Sequence, residues 1–199
     1  MDILDSKKVI SDSLKSLLGI EKYCKIIETI QKEDFKADKD FQTKFNGYFR
    51  VRVKTNSSEW KNRFYQLLET QKDNPLSFEE ILIELEKVNQ ALAVSFASKL
   101  LAAVNPDLPI WDSFVLKNLG LDKQWNRCNT ADKETRIKEA VKIYDEIKRL
   151  YSEFLAGEEG QKCVQLFDET FPDYKNRITN VKKIDFWLWS KREEKELKK

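Results

Sequence analysis

Histidine is absent from the 199 residues. Its absence excludes Ser-His-Asp and Cys-His catalysis as usually built, zinc sites that use imidazole, and any histidine base. Acid–base chemistry is left to carboxylate, lysine or tyrosine. Cysteine is scarce: Cys24, Cys128 and Cys163 are far apart and odd in number, so neither a disulfide framework nor a thiolate metal site is indicated. No cofactor is expected from such a set, and a reducing, cytoplasmic setting is. Five glycines and four prolines are few, and with 35% charged residues they favour long helices over a turn-rich sheet fold. No glycine-rich phosphate loop is present, which argues against a P-loop or dinucleotide fold. No apolar run approaches the length of a membrane span, and the opening MDILDSKKVI lacks a basic-then-apolar signal pattern, so no membrane partner is expected. The net charge of +2 makes the molecule no magnet for polyanions, and any nucleic-acid surface must be a local patch.

What is present is 41% hydrophobic and 12% aromatic content, enough for one helical domain over 1–199, as a single core or two lobes. The expected class is all-α, a multi-helix globular fold. Helical spacing marks Ser6–Leu18 and Glu21–Ile30, separated at Gly19. A further helix starts near Asp40 with Phe41, Phe45, Tyr48 and Phe49 on one face, although Asn46-Gly47 is also a hairpin signal. Ser57–Thr70 reads as a helix, Asn74-Pro75 breaks the chain, and Ser77 with Glu80 forms a capping box for the next helix. Trp125 and Cys128 read as a packed loop, and a long helix follows over Ala131–Leu155. Gly157 to Gly160 is the next break. A last helix is expected over Tyr174–Trp189, followed by a mixed-charge tail, 191–199. Asp185 sits inside the apolar run IDFWLW, where it is expected to pair with Lys182 or Arg192 or to point outward.

The stretch with a chemical reading lies within residues 76–121. Phe96, Leu100 and Val104 recur every four positions beside Ala93, Ala97 and Leu101, the stripe of a helix buried on one face. Asn105-Pro106 ends it, and Pro109 restrains the connecting loop. Asp112 stands before Ser113–Leu119, where a carboxylate accepts from free amides at a helix start, and Gly120 is placed to end that helix.

A helix, a short loop and then Pro109-Ile110-Trp111-Asp112-Ser113-Phe114-Val115 resemble the catalytic region of the helix-hairpin-helix DNA glycosylase superfamily, whose two-lobed domain carries a Pro-x-Asp-(Thr/His)-x-(Val/Ile) signature. The resemblance covers about a quarter of the chain. It implies DNA as partner, a place in base-excision DNA repair, and Asp112 as the aspartate acting on an extruded base by stabilising a cationic sugar. Ser113 replaces the usual threonine, Phe114 stands where histidine is common, and Trp111 is one residue extra. Trp111 and Phe114 become the candidates for a base pocket. The family hairpin is glycine-rich, whereas here no glycine lies between Gly47 and Gly120, and the nearest equivalent is Val88-Asn89-Gln90-Ala91. Bifunctional members carry a lysine near the positions of Val94 to Phe96; Lys99 is the nearest candidate, sharing a helical edge with Ser95.

From Lys44 to Arg63 stand six basic residues, Lys44, Arg50, Arg52, Lys54, Lys61 and Arg63, against Glu59 alone. This is either a phosphate-contacting face, with Trp60, Phe64 and Tyr65 as aromatic surfaces, or a solvated helix face with those aromatics in the core behind it. With Asn89 and Ser95, its arginines and lysines form the candidate DNA contacts. Two further readings stay open beside the glycosylase: a non-catalytic helical module that binds DNA or protein, with Asp112 only a helix cap, and a purely structural helical protein.

Overall fold

Charged residues on outer faces, apolar stripes at helical spacing and few chain breakers leave helix as the regular element available, and the computed structural model bears this out. It describes residues 17–32, 38–51, 58–89, 92–128 and 131–190, and among them every regular element is helical. In order these are α1 (Leu17–Lys32), α2 (Lys39–Phe49), α3 (Ser58–Asp73), α4 (Phe78–Asn89), α5 (Val94–Val104), α6 (Ser113–Leu119), α7 (Asp122–Arg127), α8 (Lys133–Ala156), α9 (Glu158–Thr170), a 3₁₀ turn at Pro172–Tyr174, and α10 (Asn180–Ser190).

Local chemistry explains most boundaries. Asp38 accepts from the amides of Asp40 and Phe41 at the start of α2. Before α4, the Ser77 amide donates to Glu80 at 2.7 Å and the Glu80 amide returns a bond to the Ser77 hydroxyl at 3.2 Å, the reciprocal capping box expected there. Asp132 caps α8 through the Thr135 amide. Gly120, at φ 73°, ends α6, and its N–H reaches the carbonyls of Leu116 and Lys117.

Four boundaries differ from expectation. Helix α1 runs through Gly19, because one helical glycine costs only about 1 kcal/mol and Ile20, Tyr23, Ile27 and Ile30 bury their side chains beyond it. Asn46-Gly47 lies inside α2, in keeping with the helix expected from Asp40, and the chain leaves that helix at Arg50, whose φ of 51° is left-handed. Residues 122–127 form the short helix α7 where a loop was expected. Gly157 alone separates α8 from α9, and Gly160 lies within α9. The last helix begins at Asn180, since Pro172 opens a 3₁₀ turn and the Thr179 hydroxyl accepts from the Lys182 amide (3.3 Å). The opening helix over Ser6–Leu18 falls largely outside the described residues, as do Arg52, Lys54, Gln90, Ala91 and the 191–199 tail.

One hydrophobic cluster extends from Ile20 to Leu188 and draws on all the longer helices. Helix α5 lies at its centre, packed against α1, α3 and α4, while α6 is held between α8 and α10. The small side chains Ala97, Ala102 and Ala103 on α5 are buried and allow close helix approach. No helix among the described residues is long and apolar enough to cross a membrane.

Candidate functional site

Asp112 stands at the end of a loop pinned to three helices. On α5, the Ser98 hydroxyl accepts from the Trp111 amide at 2.9 Å. On α8, the Tyr144 hydroxyl donates to the Pro109 carbonyl at 3.0 Å, and the Thr179 hydroxyl, at the head of α10, donates to the Pro106 carbonyl at 2.6 Å. Within the loop the Asp107 amide bonds back to the Asn105 side chain at 3.1 Å. The bonds made by Ser98 and Tyr144 satisfy backbone groups that would otherwise sit in the protein interior without a partner, which holds the loop to its path. The half-buried Asp112 then caps α6, its Oδ1 accepting from the amides of Phe114 and Val115, both at 2.9 Å.

Behind Asp112, where α6 meets α8 and α10, lies a buried polar group. Asp185 is fully buried and accepts from the Tyr151 hydroxyl at 2.7 Å and from Lys182 Nζ at 3.2 Å. The Lys182 ammonium stands over the rings of Tyr23 (5.0 Å), Phe186 (5.5 Å) and Phe49 (6.0 Å). Burial pushes the Asp185 carboxyl up and the Lys182 amine down, each opposed by the charge of the other. Burial also lifts Tyr151 well above the ordinary phenol range, with the Asp185 charge adding to it. The Asp112 charge reaches all three: it raises Tyr151 and Asp185 and supports the protonated form of Lys182. Asp112 is thus coupled by charge to a buried tyrosine–aspartate–lysine cluster.

The other candidates are less gathered. Lys99 is 8% exposed on α5, with Nζ 5.5 Å from the Phe96 ring centroid. Ser95 is half-buried, and its carbonyl accepts from the Ser98 hydroxyl at 3.1 Å. Trp111 fills the core at 2% exposure, edge-on to Trp125 (5.2 Å) and stacked near Phe78 (6.2 Å), so in this conformation it presents no face to a base; Phe114 is half-buried. Asn89 is the last residue of α4. Along the basic stretch, Lys44 pairs with Asp40 and Arg63 with Glu84. Arg50 and Lys61 are exposed and make no ion pair among the described residues. The aromatics Trp60, Phe64 and Tyr65 are core, with Trp60 stacked on Phe64 at 5.4 Å and the Tyr65 hydroxyl donating to Asn46 at 2.9 Å. They offer no stacking surface for bases. Over its described residues the basic stretch is therefore a charged outer face over an aromatic interior.

Tyr151 is the residue that sequence reasoning overlooked. Its place in the stripe Ile137, Val141, Tyr144, Ile147, Tyr151 identifies it only as core. The available signal was chemical: a buried phenol needs an acceptor, and Asp185 is the carboxylate inside the apolar run of the closing helix. Among the described residues no group of three Cys, Asp or Glu side chains is placed to hold a metal ion. No protein family, no characterised protein and no solved structure matches the chain.

Proposed function

We propose that the chain is a DNA-binding protein of the base-excision glycosylase type, in which Asp112 acts on the sugar of an extruded nucleotide. The observation that supports this reading is the placement of Asp112: a half-buried carboxylate held by two helix amides, on a loop fixed to three helices, with the Tyr151–Asp185–Lys182 cluster behind it. A carboxylate prevented from reorienting stabilises positive charge at a sugar far better than a mobile one does, because no reorganisation is needed as the charge develops. In the reaction the C1′–N bond breaks and its electron pair leaves with the base, which takes up a proton. Water adds to C1′ and gives its proton to Asp112, which returns it to the solvent that protonates the departing base. Arg50 and Lys61 supply phosphate contacts on the outer face, joined by Arg52 and Lys54.

A second reading, a non-catalytic helical module with Asp112 as cap alone, is favoured by the burial of Trp111 and Lys99, which takes the expected base-stacking ring and the lysine away from solvent. Asp112→Asn separates the two, since asparagine caps a helix about as well as aspartate but carries no charge. Under the glycosylase reading this variant folds with wild-type stability, binds a duplex carrying an abasic-site analogue, and releases base at least about 100-fold more slowly. Base release at the wild-type rate by folded Asp112→Asn overturns the role of Asp112. Absence of binding to any duplex at low salt overturns the DNA reading itself.

A further inference from the structure

A cavity of about 430 Å³ opens between the end of α6, the last turns of α8, the start of α9 and the face of α10, and Tyr151 of the buried cluster is among the residues that line it. Its size falls within the range of small-molecule sites. Leu119, Leu150, Ile184 and Leu188 supply an apolar floor. Phe154 and Trp187 form one wall, their rings stacked at 20° with centroids 6.0 Å apart, the Phe154 ring half-buried and the Trp187 ring buried. The charged residues that line it are Glu153 and Glu159, both exposed at the mouth, and no lysine or arginine is among the lining residues. Arg149 reaches Glu153 but is shared with Glu146, while Glu159 makes no ion pair among the described residues.

From this combination we propose that the cavity is a binding site for a planar aromatic cation. The ring would lie against the Phe154–Trp187 wall on the leucine and isoleucine floor, and the positive charge would meet Glu159 and Glu153 at the mouth. Flat apolar area on the aromatic wall supplies affinity, and the carboxylates set the sign of the ligand's charge. An anion of the same shape would face two carboxylates with no cation lining the site to meet it. The site shares Tyr151 with the cluster behind Asp112 but draws on neither Asp112 nor any DNA contact, and holds whether or not the chain acts on DNA.

The test uses the full chain, free of nucleic acid, with proflavine as the planar cation and an anilinonaphthalenesulfonate as the planar anion. Saturable quenching of tryptophan fluorescence by proflavine is expected, with a rise in the thermal midpoint and at least about tenfold preference over the anion. In Leu119→Trp the added ring occupies the cavity and abolishes proflavine binding. Glu153→Gln/Glu159→Gln, which alters exposed positions only and keeps the test open if the filled variant misfolds, weakens it by about tenfold. Failure of proflavine to bind the folded wild type, equal binding of the anion, or undiminished binding by the double glutamine variant overturns the proposal.

Discussion

Lys182 and Asp185 are three positions apart on α10, and both are almost wholly removed from water. Taking two charges into the interior costs several kcal/mol per ion, which their mutual attraction only offsets when the geometry is good. Removing one partner leaves the other charge buried alone. Asp185→Leu is therefore expected to destabilise by about 3–5 kcal/mol, whereas Lys182→Met/Asp185→Leu should fall within about 1–2 kcal/mol of wild type, on either side. Urea unfolding of the two single variants and the double variant measures this, and simple additivity would sink the account. Lys182 was legible in the sequence as one of two candidate partners, beside Arg192 and an outward-pointing carboxylate. The third member was not, because Tyr151 lies 34 positions earlier and periodicity does not identify which buried phenol finds which acceptor. Phenols also set a pH limit. Burial raises the hydroxyls of Tyr23, Tyr48, Tyr65, Tyr144 and Tyr151 above their ordinary value of 10.0. A folded value above the unfolded one means that stability is fully present below pH 10.0 and is lost as pH rises beyond it. The loss reaches about 1.4 kcal/mol per tyrosine per pH unit. The phenol contribution to unfolding free energy is thus expected to be level below pH 10.0 and to fall steeply above it, with tyrosinate absorbance appearing together with loss of helical circular dichroism. Tyrosinate appearing in the folded protein near pH 10.0 would contradict it.

Helix ends were readable where a cap has a local signature and obscure where the cause lies elsewhere in the chain. Ser77 with Glu80, and Asp112, mark their boundaries by side chains within four residues of the backbone groups they satisfy, and Gly120 ends its helix by a left-handed backbone. The start of α10 depends on Thr179, whose hydroxyl is committed to Pro106, 73 positions away, and no local pattern announces that. Glycine shows the same division. Gly157 and Gly160 look alike as breakers, yet Gly160 sits inside α9 where a Cβ would stand 1.9 Å from the Phe154 carbonyl oxygen and 2.9 Å from Leu155 Cα. Those are backbone atoms of the preceding helix, which cannot give way without moving the junction of α8 and α9. Gly160→Ala is expected to cost about 3 kcal/mol or more, comparable with severe overpacking. Gly47, exposed within α2, has nothing within 4 Å of its Cβ position. Gly47→Ala should accordingly stabilise by about 0.5–1 kcal/mol, through the unfolded chain's lost freedom and better helix propensity. Thermal denaturation of the two variants should shift in opposite directions; a shift of the same sign in both would show that the α8–α9 junction yields.

At the scale of the whole molecule, charge decides how DNA binding must behave if it occurs. A net charge of +2 supplies no long-range pull, and the basic bias between Lys44 and Arg63 is partly consumed within the fold by Asp40 and Glu84. That neutralisation is where sequence reading overshoots: a run of six basic residues gives no indication that a glutamate on α4 will lie against Arg63. Arg50 and Lys61 keep their charge exposed, and Arg52 and Lys54 belong to the same stretch. Each lysine or arginine that neutralises a phosphate releases condensed counterion, and the logarithm of affinity falls with the logarithm of salt by about 0.9 per phosphate on duplex DNA. Four such side chains give an expected slope of about −3.6, well short of the steep dependence of strongly basic DNA binders. Arg50→Ala and Lys61→Ala should each flatten it by about one, while Arg63→Ala, whose charge already meets Glu84, should change stability and leave the slope nearly unaltered. Titrations of a fluorescent duplex at a series of salt concentrations read all three. A slope unaffected by Arg50 and Lys61 would move the nucleic-acid face elsewhere on the molecule, and Asp112 would then need a DNA path that does not cross α2 and α3.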